Sequence, residues 1–600
     1  MAGKRSMTMR PSSRNVSLGQ PRKPNGPSSA RLGTSRHSDD SFGSDDDSQP
    51  SDNELRSAKR RKFSNPRSKK GNGTCISIFQ NCGTVSPEPC CPASGRQHSL
   101  SYHKPLFLCD SQGFEHRQAL LTWFDSVSTT RAMPWRKPWI NPSTQPNASQ
   151  LRTSLERRAY EVWISEIMLQ QTRVAVVIDY WNRWMDKWPT IQDLAAADPE
   201  DVLAAWRGLG YYSRATRIHE ASKLVVEDPT MQGLLPSDTH ELEAKVPGVG
   251  RYTAGAISAI VFGRATPMVD GNVLRVLSRQ LGIYGNIKTD KKVIDFIWAA
   301  ADALVQAVAL DRPCNEDESK VSDRPGRWGQ ALMELGSTVC TPKPNCSQCP
   351  VTGSCRVYNE AKDIEQKKAN VIHDIEDLCT LCEPLEEEAD NGSEPTALQE
   401  SKPNSKKTDK SKGPKQMTLA AFSFTGAKPA KQSDPKKQDA SKNDAQQEAI
   451  SNYARKFPLK TAKKPVREEE TIVCAIRRPD GSYLIHRRPD KGLLAGLWEF
   501  PSKTLSSKDD YGTVKHRTTL AKAHMKTLLG SESPKHMGEL GSVPWLFSHL
   551  KLTMHVHLFR LGENGTECGI GDRARWSDNV EGESMGTGMR KCWSLVKDAE

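Results

Sequence analysis

Four cysteines, Cys340, Cys346, Cys349 and Cys355, fall within sixteen residues in the order Cys-x5-Cys-x2-Cys-x5-Cys. Thiolates this dense close one short loop around a single centre, and four of them suit either iron–sulfur or zinc. A different chemistry is offered by Glu166, set in the apolar run Val162-Trp-Ile-Ser-Glu-Ile-Met-Leu169. A carboxyl buried there is expected to have a raised pKa, which an acid catalyst working near neutrality needs. The segment Val246-Pro-Gly-Val-Gly-Arg-Tyr252 places Gly248 and Gly250 two apart. Such a turn lets backbone approach a ligand closely, and the amides opening the next helix point where a phosphate can sit. Twenty residues after Gly250 comes Asp270, in Met268-Val-Asp-Gly-Asn-Val273. Alone, Asp270 reads as the N-cap of the helix that follows.

The elements that must hold these groups are mostly helices. Between about Gly113 and Tyr358 apolar residues recur at helical spacing, as in His116–Ser126, Ala159–Trp184, Pro199–Gly208, Tyr211–Glu227 and Val293–Leu310, broken by short Gly- or Pro-containing turns. This is an all-helical domain, and the Gly248–Gly250 turn between two of its helices reads as a helix-hairpin-helix for the DNA backbone, the alternative being a plain helix-connecting turn. Near the C-terminus, Glu470–Val473 and Tyr483–His486 bracket the turn Arg478-Pro-Asp-Gly481 as a hairpin, and Leu550–Phe559 alternates like another strand. A second, α+β domain therefore ends the chain. The division is 1–104, a disordered basic tail with a Cys-rich insert; 105–360, the helical domain; 361–465, an interdomain linker; and 466–600, the α+β domain.

The chain has 600 residues, 85 Lys+Arg against 72 Asp+Glu, and only 36% hydrophobic residues. No stretch reaches the ~18 to 20 consecutive apolar residues of a membrane helix, and the N-terminus lacks the apolar core of a secretory signal, so neither a membrane nor a secreted protein is expected. Of the net charge of +13, residues 1–70 hold +9 and residues 401–465 hold +11, while 371–400 hold −10. The basicity thus lies in Ser-, Pro- and Lys-rich segments that cannot bury enough apolar surface to fold. Such arms add salt-dependent phosphate attraction without sequence information, or serve as solvated spacers. The run Lys59-Arg-Arg-Lys62 looks like a nuclear import signal. Residues 1–38, free of acid and rich in Arg and Ser, share the composition of a mitochondrial presequence but lack its apolar stripe. The insert 75–104, with Cys75, Cys82, Cys90, Cys91, His98 and His103, follows no zinc spacing.

A hairpin, a Gly/Pro-containing loop and then an Asp make the pattern of the helix-hairpin-helix-GPD DNA glycosylase superfamily, which this chain resembles. The cysteine spacing is similar to the 4Fe-4S loop of its endonuclease III group, whose first gap is usually six residues where Thr341–Asn345 gives five. Trp163-Ile-Ser-Glu-Ile-Met-Leu-Gln-Gln-Thr172, Pro134-Trp-Arg136, Gly208-Leu-Gly-Tyr-Tyr212 and Phe547-Ser-His549 narrow the resemblance to adenine DNA glycosylases of the MutY family.

That resemblance implies a division of labour over a purine N-glycosidic bond. Glu166 would protonate the adenine ring and then help position water, and Asp270 would stabilise the cationic sugar, with Tyr252 and Asn272 orienting them. Lyase-competent relatives carry a lysine where this chain has Tyr252, so the expected product is an abasic site and not a nicked strand. The base must first leave the stack. Trp135, Arg136 and Gln330 are then expected at the adenine pocket, and Gln171 and Tyr211 at the vacated lesion pair. The C-terminal domain resembles a Nudix fold, with Gly492–Pro501 opening its signature region. Val514–His524 lacks the acidic cluster that would bind magnesium, so nucleotide hydrolysis is not expected. In the family this domain recognises 8-oxoguanine, here through Phe547, Ser548 and His549. Gln416–Phe424 resembles the motif by which repair enzymes dock on PCNA. Cys379 and Cys382, a Cys-x2-Cys in acidic sequence, offer two ligands for an additional zinc ion without an obvious second pair. The whole reads as a monomer of the nucleus, and also of the mitochondrion, acting on adenine opposite 8-oxoguanine or guanine.

Overall fold

The computed structural model describes residues 78–79, 96–145, 147–311, 321–366, 379–385, 435–461, 465–489, 492–505, 512–530, 534–547, 549–562 and 573–600. The helical part runs α1 (Asp110–Val127), α2 (Ala148–Leu169), α3 (Val174–Lys187), α4 (Ile191–Ala195), α5 (Pro199–Ala205), α6 (Ser213–Glu227), α7 (Thr239–Lys245), α8 (Arg251–Ile260), α9 (Gly271–Gln280), α10 (Lys291–Leu310), α11 (Arg324–Thr338) and α12 (Arg356–Glu365). Starts are set by side-chain caps: Asn147 for α2, Asp198 followed by Pro199 for α5, Asp238 for α7 and Asp290 for α10 each accept amide hydrogen bonds. Two apolar cores divide this body. One gathers α2, α3, α6 and α8; the other gathers α1, α9, α10 and α11. Met268 belongs to the first and Val269 to the second, so the chain crosses the seam just before Asp270. Helix α10 is long and apolar enough to cross a membrane, yet Val293, Phe296, Ile297 and Leu304 lie in the second core.

After α13 (Pro435–Lys456) come β1 (Arg467–Arg477), β2 (Tyr483–Arg487), β3 (Trp498–Glu499), β4 (Ser502–Leu505), α14 (Val514–Leu529), β5 (Lys535–Leu546), β6 (Leu550–Arg560), β7 (Ala574–Ser577) and α15 (Thr587–Asp598). The sheet order is β3-β2-β1-β6-β5, with β4 also on β1 and β7 on β2; β1 and β6 run parallel and the other pairs antiparallel. Strand β1 alternates between two faces, sending Val473 and Ala475 toward α15 and Ile472, Cys474 and Ile476 toward α14. The expected hairpin and the strand at Leu550–Phe559 are both present.

Three segments differ from the reading of the sequence. The helical run Ala159–Trp184 breaks after Leu169, because Gln171 takes a left-handed φ of 58°. Residues 96–104, assigned to the tail, are packed inside: Arg96, His98, Tyr102 and His103 are all buried. The linker span contributes Cys379–Pro384 and α13, whose Ala454 packs with Val357 of α12 and beside Cys346 and Cys355. Buried Glu360 of α12 joins two of these pieces, accepting from Arg96 Nε at 2.7 Å, Tyr102 Oη at 3.0 Å and Tyr453 Oη at 2.6 Å, and Arg96 reaches the third by donating to Cys382 Sγ at 3.5 Å. Composition concealed this, since each segment is polar on average and is ordered by a few contacts to the helical body.

Candidate active site

Helix α2 is buried continuously from Arg158 to Met168, so Glu166 has no solvated face available. Glu166 is 6% exposed, and burial pushes its pKa up to about 7, with the Asp270 charge adding to the rise; the Tyr252 hydrogen bond and Arg136 oppose it. Tyr252, in the first turn of α8, donates from Oη to Glu166 Oε2 at 2.6 Å and also lies 3.1 Å from Met333 Sδ. Burial and the two carboxylates hold the phenol well above its usual range, so it remains a donor.

Asp270 is at once the N-cap of α9 and part of this site. Its Oδ1 accepts from the amides of Asn272 at 2.9 Å and Val273 at 2.8 Å, and Oδ2 accepts from Asn272 Nδ2 at 2.7 Å. Arg275, one turn on, donates to Asn272 Oδ1 at 2.8 Å, to the Gly336 carbonyl at 2.7 Å and, through Nε, to the Cys340 carbonyl at 3.0 Å. Hydrogen bonds therefore run unbroken from Asp270 to the cysteine loop.

Arg136 stacks over the Phe124 ring at 5.1 Å and donates to Glu334 Oε2 at 2.6 Å, and Arg131 donates to the same carboxylate at 3.3 Å. Trp135 is buried in the first core with its ring against Trp181, and Gln330 donates to the Gly326 carbonyl of its own helix. The structure thus brings together Glu166, Tyr252, Asp270, Asn272 and Arg136. Sequence reasoning missed Arg131, Arg275 and Glu334. Glu334 carried the same signal as Glu166: it is an acid inside the apolar helix that supplies Gln330, one turn further on.

The turn at Gly248–Gly250 leads from α7 into α8. Gly248 has a φ of 83°, and Gly250 is the N-cap of α8, whose first-turn amides receive no side-chain cap. Gln171 and Tyr211 stand exposed on two separate turns, both with left-handed φ. Arg214 joins those turns, donating to the carbonyls of Ile167 and Gln170 at 2.7 and 2.8 Å and of Leu209 and Gly210 at 3.1 and 3.0 Å. In the C-terminal domain Phe547 closes the β5–β6 turn through its amide to Leu550 and lines a cavity with Trp498 and Trp545; His549 is exposed, and Ser548 lies outside the described residues.

Cys340, Cys346, Cys349 and Cys355 line a small cavity with Arg279. Burial pushes the Cys346 thiol up, Cys349 up to about 12, and Cys355 well above its usual range, so ionising them together requires a bound cation. Arg279 Nη1 donates to Cys340 Sγ at 3.2 Å and to the Thr341 carbonyl at 2.7 Å. A second group brings the ligand atoms of His98, His103, Cys379 and Cys382 within 4.8 Å of one another. His98 Nδ1 lies 2.6 Å from the Arg96 carbonyl and His103 Nδ1 lies 2.8 Å from the Leu281 carbonyl, which makes each Nδ1 the protonated nitrogen. Both Nε2 lone pairs then converge, 3.0 Å apart, with His103 Nε2 also 3.1 Å from Cys379 Sγ. Acceptors facing acceptors in a buried place is the arrangement a cation resolves. The insert thus brings two imidazoles to Cys379 and Cys382, which the sequence left without an obvious second pair.

A helix-hairpin-helix, an acid at each side of a core seam and a cysteine loop, followed by a Nudix-like sheet, define a base-excision DNA glycosylase. The profile of the HhH-GPD superfamily base excision DNA repair proteins matches residues 164–301, and that of the NUDIX domain matches 472–595. The chain is 35% identical over 510 residues to the adenine DNA glycosylase of Mus musculus, covering 84% of this chain and 81% of that protein. It is 35% identical over 512 residues to that of Homo sapiens, covering 83% and 76%, and 31% identical over 478 residues to that of Schizosaccharomyces pombe, covering 77% and 85%. The chain belongs to the adenine DNA glycosylase family.

Proposed function

We propose that this protein hydrolyses the N-glycosidic bond of adenine paired with 8-oxoguanine or guanine and leaves an abasic site. The observation that carries the reading is Glu166: a buried carboxyl held at a pKa of about 7, with a phenol on one oxygen and the Asp270 charge nearby. At neutral pH about half of such groups hold the proton that an adenine ring nitrogen must receive to leave uncharged. Tyr252 fixes the orientation of that proton donor, and the resulting Glu166 carboxylate can then orient water. Asp270, held by two amides and Asn272, presents its carboxylate to the sugar as that becomes cationic. Tyr252 offers no amine, so no Schiff base forms there and the strand stays intact. Trp135, Arg136 and Gln330 serve the extruded adenine, Gln171 and Tyr211 the vacated pair, and Phe547, Ser548 and His549 the 8-oxoguanine.

Cys340, Cys346, Cys349 and Cys355 are the ligands proposed for a 4Fe-4S cluster, which would cross-link the loop that Arg275 and Arg279 grip. His98, His103, Cys379 and Cys382 are the ligands proposed for zinc, whose tetrahedral preference suits two imidazoles and two thiolates. Two further proposals rest on sequence that lies outside the described residues: docking on PCNA through Gln416–Phe424, and nuclear import through Lys59–Lys62, with mitochondrial targeting as the additional destination. A monomer suffices for the chemistry.

The test is single-turnover cleavage of a duplex carrying adenine opposite 8-oxoguanine, with and without alkali, in wild type and Glu166→Gln. Scission only after alkali, slowed by about 10²-fold or more in the variant, is expected. Scission without alkali would contradict the role of Tyr252, and full activity of the variant would remove Glu166 from the mechanism.

A further inference from the structure

Between α5 and α6 the chain makes a turn, Trp206–Tyr212, that is unusually well tied to itself. Trp206 Nε1 donates to the Gly210 carbonyl at 3.0 Å, Tyr180 Oη donates to the Arg207 carbonyl at 2.5 Å, and Gly208 N donates to Tyr212 Oη at 3.4 Å. Arg214 holds the Leu209 and Gly210 carbonyls from below and fastens the same turn to the C-terminal carbonyls of α2, the helix of Glu166. Gly208, Gly210 and Tyr211 all have left-handed φ, so the conformation is imposed by these bonds. A force applied to the Arg207 side chain is therefore delivered to Tyr211, and the turn cannot absorb it by bending.

The Arg207 guanidinium reaches out of the helical domain. It donates to three successive carbonyls of the C-terminal domain, those of Glu581, Gly582 and Glu583, at 3.5, 3.2 and 3.4 Å. Arg590 of α15 grips the carbonyls of Glu581 and Glu583 from its own side. The residue that follows, Ser584, accepts from the Trp498 amide at 3.0 Å, and the Trp498 ring lines the same cavity as Phe547. Nearby, Arg575 pairs with Glu583 at 2.5 Å and lies 3.6 Å from Glu200 of α5, and Leu497, fully buried, joins the apolar core of the helical domain. The contact is thus a seated interface, and Arg207 is the side chain of the Tyr211 turn that hydrogen-bonds across it.

We propose that Arg207 is a positioning residue, a latch by which the seating of the C-terminal domain sets the stance of Tyr211. The inference rests on the functional reading above, in which the C-terminal domain meets 8-oxoguanine and Tyr211 meets the duplex at the lesion pair. When the cavity wall at Trp498 shifts on the damaged base, the 581–583 carbonyls move with it, and Arg207 carries that movement into a stiff turn joined to α2. Discrimination between 8-oxoguanine and guanine then depends in part on one side chain that touches neither base.

The test uses the full-length protein and a double-mutant cycle of Arg207→Ala with Tyr211→Ala, read by single-turnover excision opposite 8-oxoguanine and opposite guanine. Loss of a few carbonyl hydrogen bonds to a charged donor predicts about a fivefold slower rate opposite 8-oxoguanine, with less than about a twofold change opposite guanine. In the Tyr211→Ala background the Arg207 effect is expected to vanish. The same loss in both backgrounds, an equal loss on both substrates, or no loss at all overturns the latch. Should Arg207→Ala melt early, Arg207→Lys keeps the cation and the stem but not the planar fork, and the same cycle applies with a smaller selective loss. Amide hydrogen exchange across 206–214 provides a reading independent of activity, and it is expected to rise in Arg207→Ala. Raised exchange in a protein that does not excise adenine would sink the functional reading and leave the latch standing; unchanged exchange sinks the latch.

Discussion

The four cysteines of the loop come from sixteen consecutive residues, whereas the other sulfur-rich group joins His98 and His103 to Cys379 and Cys382 across more than 270 positions. Both are partly or wholly buried, and both pack against α9 and its end: Arg279 donates to Cys340, and the Leu281 carbonyl holds His103. The difference lies in what each closes. The loop closes on itself, so its ligands cost little chain entropy to bring together, and its influence on the active site passes through Arg275 to Asn272 and Asp270. The second group clips the pre-domain segment 96–104 to a piece of the linker and, among the described residues, makes no comparable link to Asp270. One group of thiols is hydrogen-bonded toward Asp270, and the other ties separate segments of the chain together.

The largest effect that would sharpen this contrast is Cys349→Ser. It is expected to lose iron, to destabilise the protein by on the order of 4 kcal/mol, and to depress excision with it. Elemental analysis and thermal unfolding check this, and wild-type iron content with wild-type DNA affinity would erase the distinction. Next comes His103→Ala, with an expected loss of zinc, retention of iron and a cost of about 3 kcal/mol. Trypsin should then cut the 96–104 segment, which the wild type shields, while the surviving folded protein keeps most of its excision rate. Loss of both metals together would mean the two centres are one cooperative unit.

The smallest effect comes from a centre that needs no metal. Glu166 has a folded pKa of about 7 against 4.5 when free, so between those values the folded chain holds a proton that the unfolded chain has released. The stability of the wild type therefore falls as pH rises through this window, and the full penalty is present above pH 7. Glu166→Gln removes the penalty and keeps a side chain for Tyr252. It is expected to unfold later than wild type at pH 8, with the advantage fading toward pH 5. Equal stability at both pH values would mean the carboxyl is better solvated than its position in α2 indicates.

How much of the site was legible follows from the range of the interactions. Glu166 was legible because α2 is apolar around it, and Gly248 and Gly250 because a backbone approach demands glycine locally. Asp270 was half legible: its capping role is local and present, and its second role depends on standing near Glu166, which lies on another helix. Glu334 could have been found by the reasoning applied to Glu166. The break after Leu169 falls in the polar run Gln170-Gln-Thr-Arg173, which a helix can also carry, and the turn there is held by Arg214 from forty-four positions away.

The sequence by itself determined the helices and their caps, the alternation that gives β1 two buried faces, the loop of four thiols and the absence of acid on α14, because each of these is a property of neighbouring residues. Tertiary structure alone decided that His98 and His103 would meet Cys379 and Cys382, that Arg131 and Arg136 would share Glu334, and that Arg207 would reach the carbonyls of another domain. A polar side chain looks the same in a sequence whether it faces water or completes a buried charge balance. Only packing withdraws the water, and once it is gone each buried donor or acceptor must find its partner wherever the fold has placed one.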